Sequence, residues 1–185
     1  MNEDSNVMLA FKKGDEQSFI TLLGKYTPRI VNYLYRTTGN AADAEDLAQE
    51  VFARVYAAAP RYEPTARFST WLYTIATNIY RDYIRKQSHA PTAIQATDSD
   101  GESTTPEAYD RREKSLEKIV EDLHRDVQIH ACLQLLPETQ RIALTLKIYE
   151  NASYEEIAEI LHTTVPAVES LLFRARQQLK KQLSD

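Results

Sequence analysis

Ser153-Tyr-Glu-Glu-Ile-Ala-Glu-Ile-Leu-His-Thr-Thr-Val-Pro-Ala-Val-Glu-Ser-Leu-Leu-Phe-Arg-Ala-Arg-Gln-Gln-Leu-Lys-Lys-Gln-Leu183 holds two short helical patterns, a four-residue break and a basic end. Ser153 and Glu156 have the spacing of a capping box, which satisfies free amides at a helix start, so the first helix begins at Tyr154. Ile157, Ala158 and Leu161 share one face of it, and Val165, Val168, Leu171 and Leu172 give the second helix a matching stripe. Ala158 is small enough for close helix contact. Thr164 can cap the second helix, and Pro166 is tolerated where first-turn amides have no intrahelical partner. This is the outline of a helix-turn-helix, whose second helix enters a major groove and makes duplex DNA the leading ligand. Its outer face carries Glu169, Ser170, Phe173, Arg174 and Gln177. The competing reading is an ordinary helical hairpin at a domain end.

Working outward, 185 residues with 43% hydrophobic content can build packed cores, and no apolar run approaches membrane-spanning length. The start, Met1-Asn-Glu-Asp-Ser-Asn6, lacks the basic and apolar parts of a secretory signal, which predicts a cytoplasmic protein. The single Cys132 excludes an internal disulfide. A net charge of -5 looks wrong for a DNA binder until it is divided along the chain. Residues 60–86 set Arg61, Arg67, Arg81, Arg85 and Lys86 against only Glu63 and Asp82, and residues 171–181 carry Arg174, Arg176, Lys180 and Lys181 with no acid. Between them, Asp98, Asp100, Glu102, Glu107 and Asp110 form an acidic connector. Each basic patch can neutralise phosphates, while the acidic remainder limits indiscriminate binding.

Periodicity predicts an all-α fold of two small helical domains. In the first, residues 1–88, Phe19, Leu22, Leu23, Tyr26, Ile30, Tyr33 and Leu34 mark one helix, which Pro28 should bend or split. Gly39-Asn40 is a turn, and Ala44, Leu47, Ala48, Val51, Phe52 and Val55 line the next helix, whose other face shows Asp43, Asp46, Gln49 and Glu50. After Pro60 and Pro64, a third stripe runs through Phe68, Trp71, Leu72, Ile75, Ala76, Ile79 and Tyr83. Residues 89–106 are too polar to offset their ordering entropy and read as a flexible, acidic linker. The second domain spans residues 107–185, with Thr105-Pro106 as a helix start, Leu116, Ile119, Val120, Leu123 and Val127 continuing it, and Pro137 opening a helix through Ile142, Leu146 and Ile148.

The chemistry concentrates between Arg61 and Arg85, where aromatics, hydroxyls, an amide and arginines alternate as in surfaces that hold unstacked bases. Thr74, Asn78, Arg81 and Arg85 fall along one helical face. Phe68, Trp71 and Tyr83 share the apolar stripe, so core packing is the first reading for each. His124, His130 and Cys132 are the only metal-like cluster, and their spacing is unlike a helical ligand pair. No phosphate-cradling glycine loop and no acid/base pair stands out, which argues against an enzyme and against a cofactor or metal.

Four segments in order carry a resemblance: Asp43-Ala-Glu-Asp-Leu-Ala-Gln-Glu-Val-Phe52, Arg67-Phe-Ser-Thr-Trp-Leu-Tyr-Thr-Ile-Ala-Thr-Asn78, Leu136-Pro-Glu-Thr-Gln-Arg141, and Ser153 to Ala158 followed by Phe173-Arg-Ala-Arg176. Together they resemble an extracytoplasmic-function sigma factor of bacterial RNA polymerase. The resemblance implies a region 2 domain and a region 4 domain, partners in core RNA polymerase (largest-subunit clamp and flap regions), promoter DNA both duplex and single-stranded, and an anti-sigma factor that could hold the protein at the membrane under stress control. It implies clamp docking by Asp46, Gln49 and Glu50. It assigns the -10 element to Arg61, Phe68, Ser69, Trp71, Thr74, Asn78, Arg81 and Arg85, with a base flipped from the non-template strand held near Asn78. It assigns the -35 element to Glu169, Ser170, Phe173 and Arg174 on bases and to Arg176 and Lys180 on phosphates. Glu169, Leu171 and Thr74 stand where the family often has basic residues, and Glu169 has the acceptor chemistry for a cytosine amino group. The alternative is a conventional helix-turn-helix regulator with an N-terminal sensor or dimerisation domain.

Overall fold

The computed structural model describes residues 3–89 and 129–182, and every regular element among them is a helix. Residues 90–106 of the expected linker, the helix expected through Leu116 and Val127, and His124 lie outside the described residues, whereas residue 89 still belongs to a helix. The first half has helices α1 (Glu3–Lys12), α2 (Glu16–Thr38), α3 (Ala41–Ala58) and α4 (Phe68–His89), with a short 3-10 turn at Ala59–Arg61. The second half has a helical segment at 129–134 and helices α5 (Glu138–Tyr149), α6 (Tyr154–Leu161) and α7 (Val165–Gln182).

Helix α2 starts on Asp15, whose carboxylate accepts the Gln17 N–H, and stops at Gly39, where φ is +83° and the N–H returns to the Tyr35 carbonyl. Pro28 neither splits nor ends it. Leu22 and Tyr26 before the proline, and Ile30, Tyr33 and Leu34 after it, are anchored in one core, while Pro28 itself is exposed, as is Gly24, whose carbonyl loses its helical partner. Helix α1 was not legible as a stripe because half of its buried face is polar: Asp4 and Ser5 are buried together with Met8 and Phe11.

Helix α3 is capped by Asn40, whose side chain accepts the Asp43 N–H, and it buries Ala44, Leu47, Ala48, Val51, Phe52 and Val55 as its spacing predicts. Helix α4 lies across α2 and α3. The Tyr33 and Thr77 hydroxyls are bonded at 2.7 Å, and the Tyr80 hydroxyl donates to the Thr37 carbonyl, so these two buried tyrosines have partners for their hydroxyls.

In the second half both bonds of the capping box form, Glu156 N–H to Ser153 Oγ at 3.1 Å and Ser153 N–H to Glu156 Oε2 at 2.8 Å. The turn that follows is made by His162 in the left-handed region, φ +53°. Thr164 caps α7 only through a long bond, 3.4 Å from the Ala167 N–H. Ile142, Leu146, Ile157, Leu161, Val168 and Leu172 meet in the centre, whereas Ile148, expected on the stripe, points outward from α5.

Candidate nucleic-acid interface

Three polar surfaces stand on three helices whose opposite faces are consumed by packing. On α3, Asp46, Gln49 and Glu50 are all exposed, one turn apart on a rod fixed by its buried side. Glu50 pairs with Arg54 one turn on, a surface contact of small energy. Asp43 turns the other way and accepts from the Tyr83 hydroxyl at 2.6 Å, and burial together with that bond pushes the phenol well above its ordinary value.

The aromatic-basic segment separates into support and surface. Phe68 is 0% exposed, wedged edge-on against Tyr26 and Tyr62, so it is a pillar and offers no face to a base. That corrects its expected place in the -10 set: as the first residue of α4 it turns into the three-helix core. Trp71 is half-buried, with Tyr62 4.9 Å from its ring and Phe68 5.9 Å away. Ser69 and Thr74 are half-buried, and the Thr74 hydroxyl donates to the Thr70 carbonyl of its own helix. Arg61 and Asn78 are exposed. Arg81 reaches Glu138 at 3.5 Å and Arg85 reaches Asp82 at 3.4 Å.

On α7, Glu169, Ser170, Phe173 and Arg174 line an open concavity of about 500 Å³. Phe173 is 63% exposed. The Arg174 Nε donates to the Ser170 carbonyl at 3.2 Å, which fixes the stem of this exposed side chain. Arg176 and Lys180 are exposed further along.

Sequence reasoning missed the residues that tie the two halves together, because nothing local marks them. Arg29 donates from Nε and Nη2 to Glu150 Oε2 at 3.0 and 2.6 Å, and the Glu150 side chain is only 5% exposed. Burial, and next the Glu150 charge, push the Tyr73 phenol far above its usual value. Arg36 lies 3.7 Å from the centre of the Tyr149 ring, and its carbonyl accepts from Gln134. Arg141 reaches the Tyr80 hydroxyl at 2.9 Å, and Arg67 reaches Glu156 at 3.2 Å. A Cβ on Gly39 would stand 3.1 Å from the Gln134 side chain, so this glycine serves both the left-handed stop of α2 and the approach of the second half.

His130 belongs to the same seam, stacked on Tyr35 with ring centroids 4.5 Å apart. Burial and then Arg36 hold its imidazole below the ordinary value of 6.5, with Arg141 acting in the same sense and a Gly39 backbone bond against it. A depressed folded value means that this contact contributes fully above pH 6.5 and is lost as pH falls through the lower folded value. Acidification should therefore lengthen a dye-to-dye distance between α3 and α7. His130→Phe keeps a ring on Tyr35 and should remove that response. An equal pH response in both proteins would assign it to other groups. Cys132 is a half-buried free thiol. No described helix is long and apolar enough to cross a membrane.

Comparison with known proteins adds to this geometry. The Sigma-70 region 2 family matches residues 22–90, and the Sigma-70, region 4 family matches residues 126–179. The RNA polymerase sigma-H factor of Pseudomonas aeruginosa is 32% identical over 181 residues, which cover 98% of this chain and 94% of that protein. The ECF RNA polymerase sigma factor SigW of Bacillus subtilis is 35% identical over 175 residues, 94% of this chain and 93% of that one. Two solved structures share the fold. CnrH, solved in complex with the cytosolic domain of CnrY, superposes with a TM-score of 0.73 at 21% identity, over 99% of this chain and 98% of its own. The sigma factor RpoE of Bartonella quintana, solved with the anti-sigma factor NepR, gives 0.68 at 22%, over 91% and 98%.

Proposed function

From the premise that the chain belongs to the extracytoplasmic-function sigma factors, whose work is to bind core RNA polymerase and direct promoter-specific initiation without being enzymes, we propose how that work is divided among its residues. Asp46, Gln49 and Glu50 dock on the clamp of the largest polymerase subunit. Arg61, Ser69, Trp71, Asn78, Arg81 and Arg85 take the melted -10 non-template strand. Glu169, Ser170, Phe173 and Arg174 read the -35 duplex, with Arg176 and Lys180 on its phosphates. Phe68 acts behind the surface as core support, and half-buried Thr74 stays with the -10 set, its hydroxyl oriented by its bond to the Thr70 carbonyl.

The observation that carries the -10 assignment is the position of Asn78. It is the exposed residue between buried Thr77 and Ile79, on a helix held on its other side by Tyr33 and Thr37. An amide so placed can pair with the edge of a base that has left its stack, with the half-open Trp71 ring two turns back as an apolar wall. Strand opening then needs no hydrolysis. Binding free energy for the captured strand offsets the few kcal/mol needed to unpair and unstack a base.

The test is transcription from a promoter selected with the wild-type holoenzyme, on duplex and on pre-melted templates. Asn78→Ala should lose roughly tenfold on both, the worth of one base-edge contact of 1–3 kcal/mol. Wild-type activity of this variant on both templates would sink the capture reading.

Regulation follows the same family logic: an anti-sigma factor covers the polymerase-binding surfaces until a signal releases them, and it can hold this cytoplasmic protein near the membrane. Support comes from the Bartonella RpoE, solved with the anti-sigma factor NepR and sharing this fold across 91% of the chain.

A further inference from the structure

Helix α1 lies upstream of the matched region 2 segment, which begins at residue 22, yet one of its ends is bonded to the loop that leads into α4 and the other to Tyr26, which packs on the first residue of α4. At its C-terminal end the Lys12 ammonium donates to the Tyr62 carbonyl at 2.8 Å, across 50 positions of sequence. Tyr62 opens the loop between the 3-10 turn and α4. Along the backbone, Thr65 N–H to Glu63 lies within the loop, and Tyr62 N–H to Ala59 and Trp71 N–H to Arg67 join its ends to the neighbouring elements; none of these uses the Tyr62 carbonyl, whose direction is set by Lys12. At the N-terminal end Asp4, 7% exposed, accepts from Lys25 at 2.6 Å and from the Tyr26 hydroxyl at 2.7 Å. Tyr26 in turn stands edge-on to Phe68, which tilts on Trp71. Met8 and Phe11, buried between these ends, fix the register of α1 so that Lys12 leaves the helix over the loop.

We propose that α1 is a brace that sets the shape of the Tyr62–Arg67 loop for strand capture, with Lys12 as its positioning residue. The proposal rests on the base-capture reading of Asn78 and names what holds the other wall of that site. A loop with one internal backbone bond must otherwise be ordered when the strand arrives, and that ordering cost is subtracted from affinity. A charge-assisted bond from a buried-face helix removes it beforehand.

The experiment uses holoenzyme assembled from core polymerase and full-length chain. It measures affinity for a labelled single strand carrying the non-template -10 region of an in vitro selected promoter, and separately for its -35 duplex. Lys12→Met should weaken single-strand binding about tenfold, the worth of one hydrogen bond to a charged group. It should leave the -35 duplex affinity and the melting temperature at their wild-type values, and Lys12→Arg, which keeps a donor, should restore most of the loss. The slope of single-strand affinity against salt should stay unchanged, since a lysine that itself touched a phosphate would reduce it by about one. If Asn78→Ala weakens capture and Lys12→Met does not, the brace is wrong and the capture site stands. If neither does, both fall together. A flattened salt slope for Lys12→Met, or no rescue by arginine, likewise overturns the positioning role.

Discussion

Replacing Glu150 by alanine is expected to part the two halves of the free protein. The carboxylate is 5% exposed and holds two nitrogens of Arg29, which is itself 40% exposed. Removing one partner of a fully buried pair costs about 3–5 kcal/mol because the other charge is stranded. Here Arg29 can turn to water, so the loss falls toward 1–3 kcal/mol of contact between the halves. Tyr73 loses the neighbour whose charge helps keep its phenol neutral. The other polar and ring contacts across the seam, from Arg36, Gln134, Arg141, Arg67, Arg81 and the Tyr35–His130 stack, are single bonds or ring contacts at part-exposed sites. A shift of about tenfold or more toward the separated form should follow, read as a larger radius of gyration in X-ray scattering and a longer α3 to α7 distance. Helix α7 keeps its own core and its outward face, so affinity for a -35 duplex should not change. An unchanged radius for Glu150→Ala would show that the seam is held elsewhere.

Arg174→Ala should cost about 1–3 kcal/mol of discrimination at one promoter position, ten- to a hundredfold between the preferred and a mismatched base. The argument rests on geometry as well as charge. The Arg174 stem is fixed by its bond to Ser170, beside Glu169 and Phe173 in one concavity, so its outer nitrogens reach a groove in a narrow range of directions. Lys180 is two turns further along α7, on the exposed part of the helix beyond that concavity. Lys180→Ala should therefore weaken binding alike for all sequences and reduce the slope of log affinity against log salt by about 0.9. Competition binding over a randomised -35 library at several salt concentrations separates the two. Discrimination lost with Lys180→Ala and kept with Arg174→Ala would reverse the assignment.

The exposed faces proposed for docking and for the -35 element were legible in the sequence because their exposure depends on helical arithmetic alone. Once Ala44, Leu47, Val51 and Val55 are inside, Asp46, Gln49 and Glu50 must be outside, and the same holds for Val168 and Leu172 against Glu169, Phe173 and Arg174. The face proposed for the -10 element was legible only in part. Phe68 and Trp71 sit on one apolar stripe of α4, and periodicity cannot say which of them a neighbouring helix will cover. Tyr26 and Tyr62 cover Phe68 and leave Trp71 half-open. Pro28 misled in the opposite direction, since a local rule for breaking helices was overridden by five anchored side chains around it.

By itself the sequence determined an all-helical chain, the capping box and tight turn of the helix-turn-helix, and the outward faces of α3 and α7, all of which follow from interactions within about one turn of each residue. Only the tertiary structure decided that Glu150 meets Arg29 across 121 positions, that Lys12 holds the Tyr62 carbonyl, and that Phe68 is a pillar. A charge or an aromatic ring can satisfy itself against many partners in the chain. Which one it meets is settled by how whole helices pack, where burial raises the cost of every unpaired group.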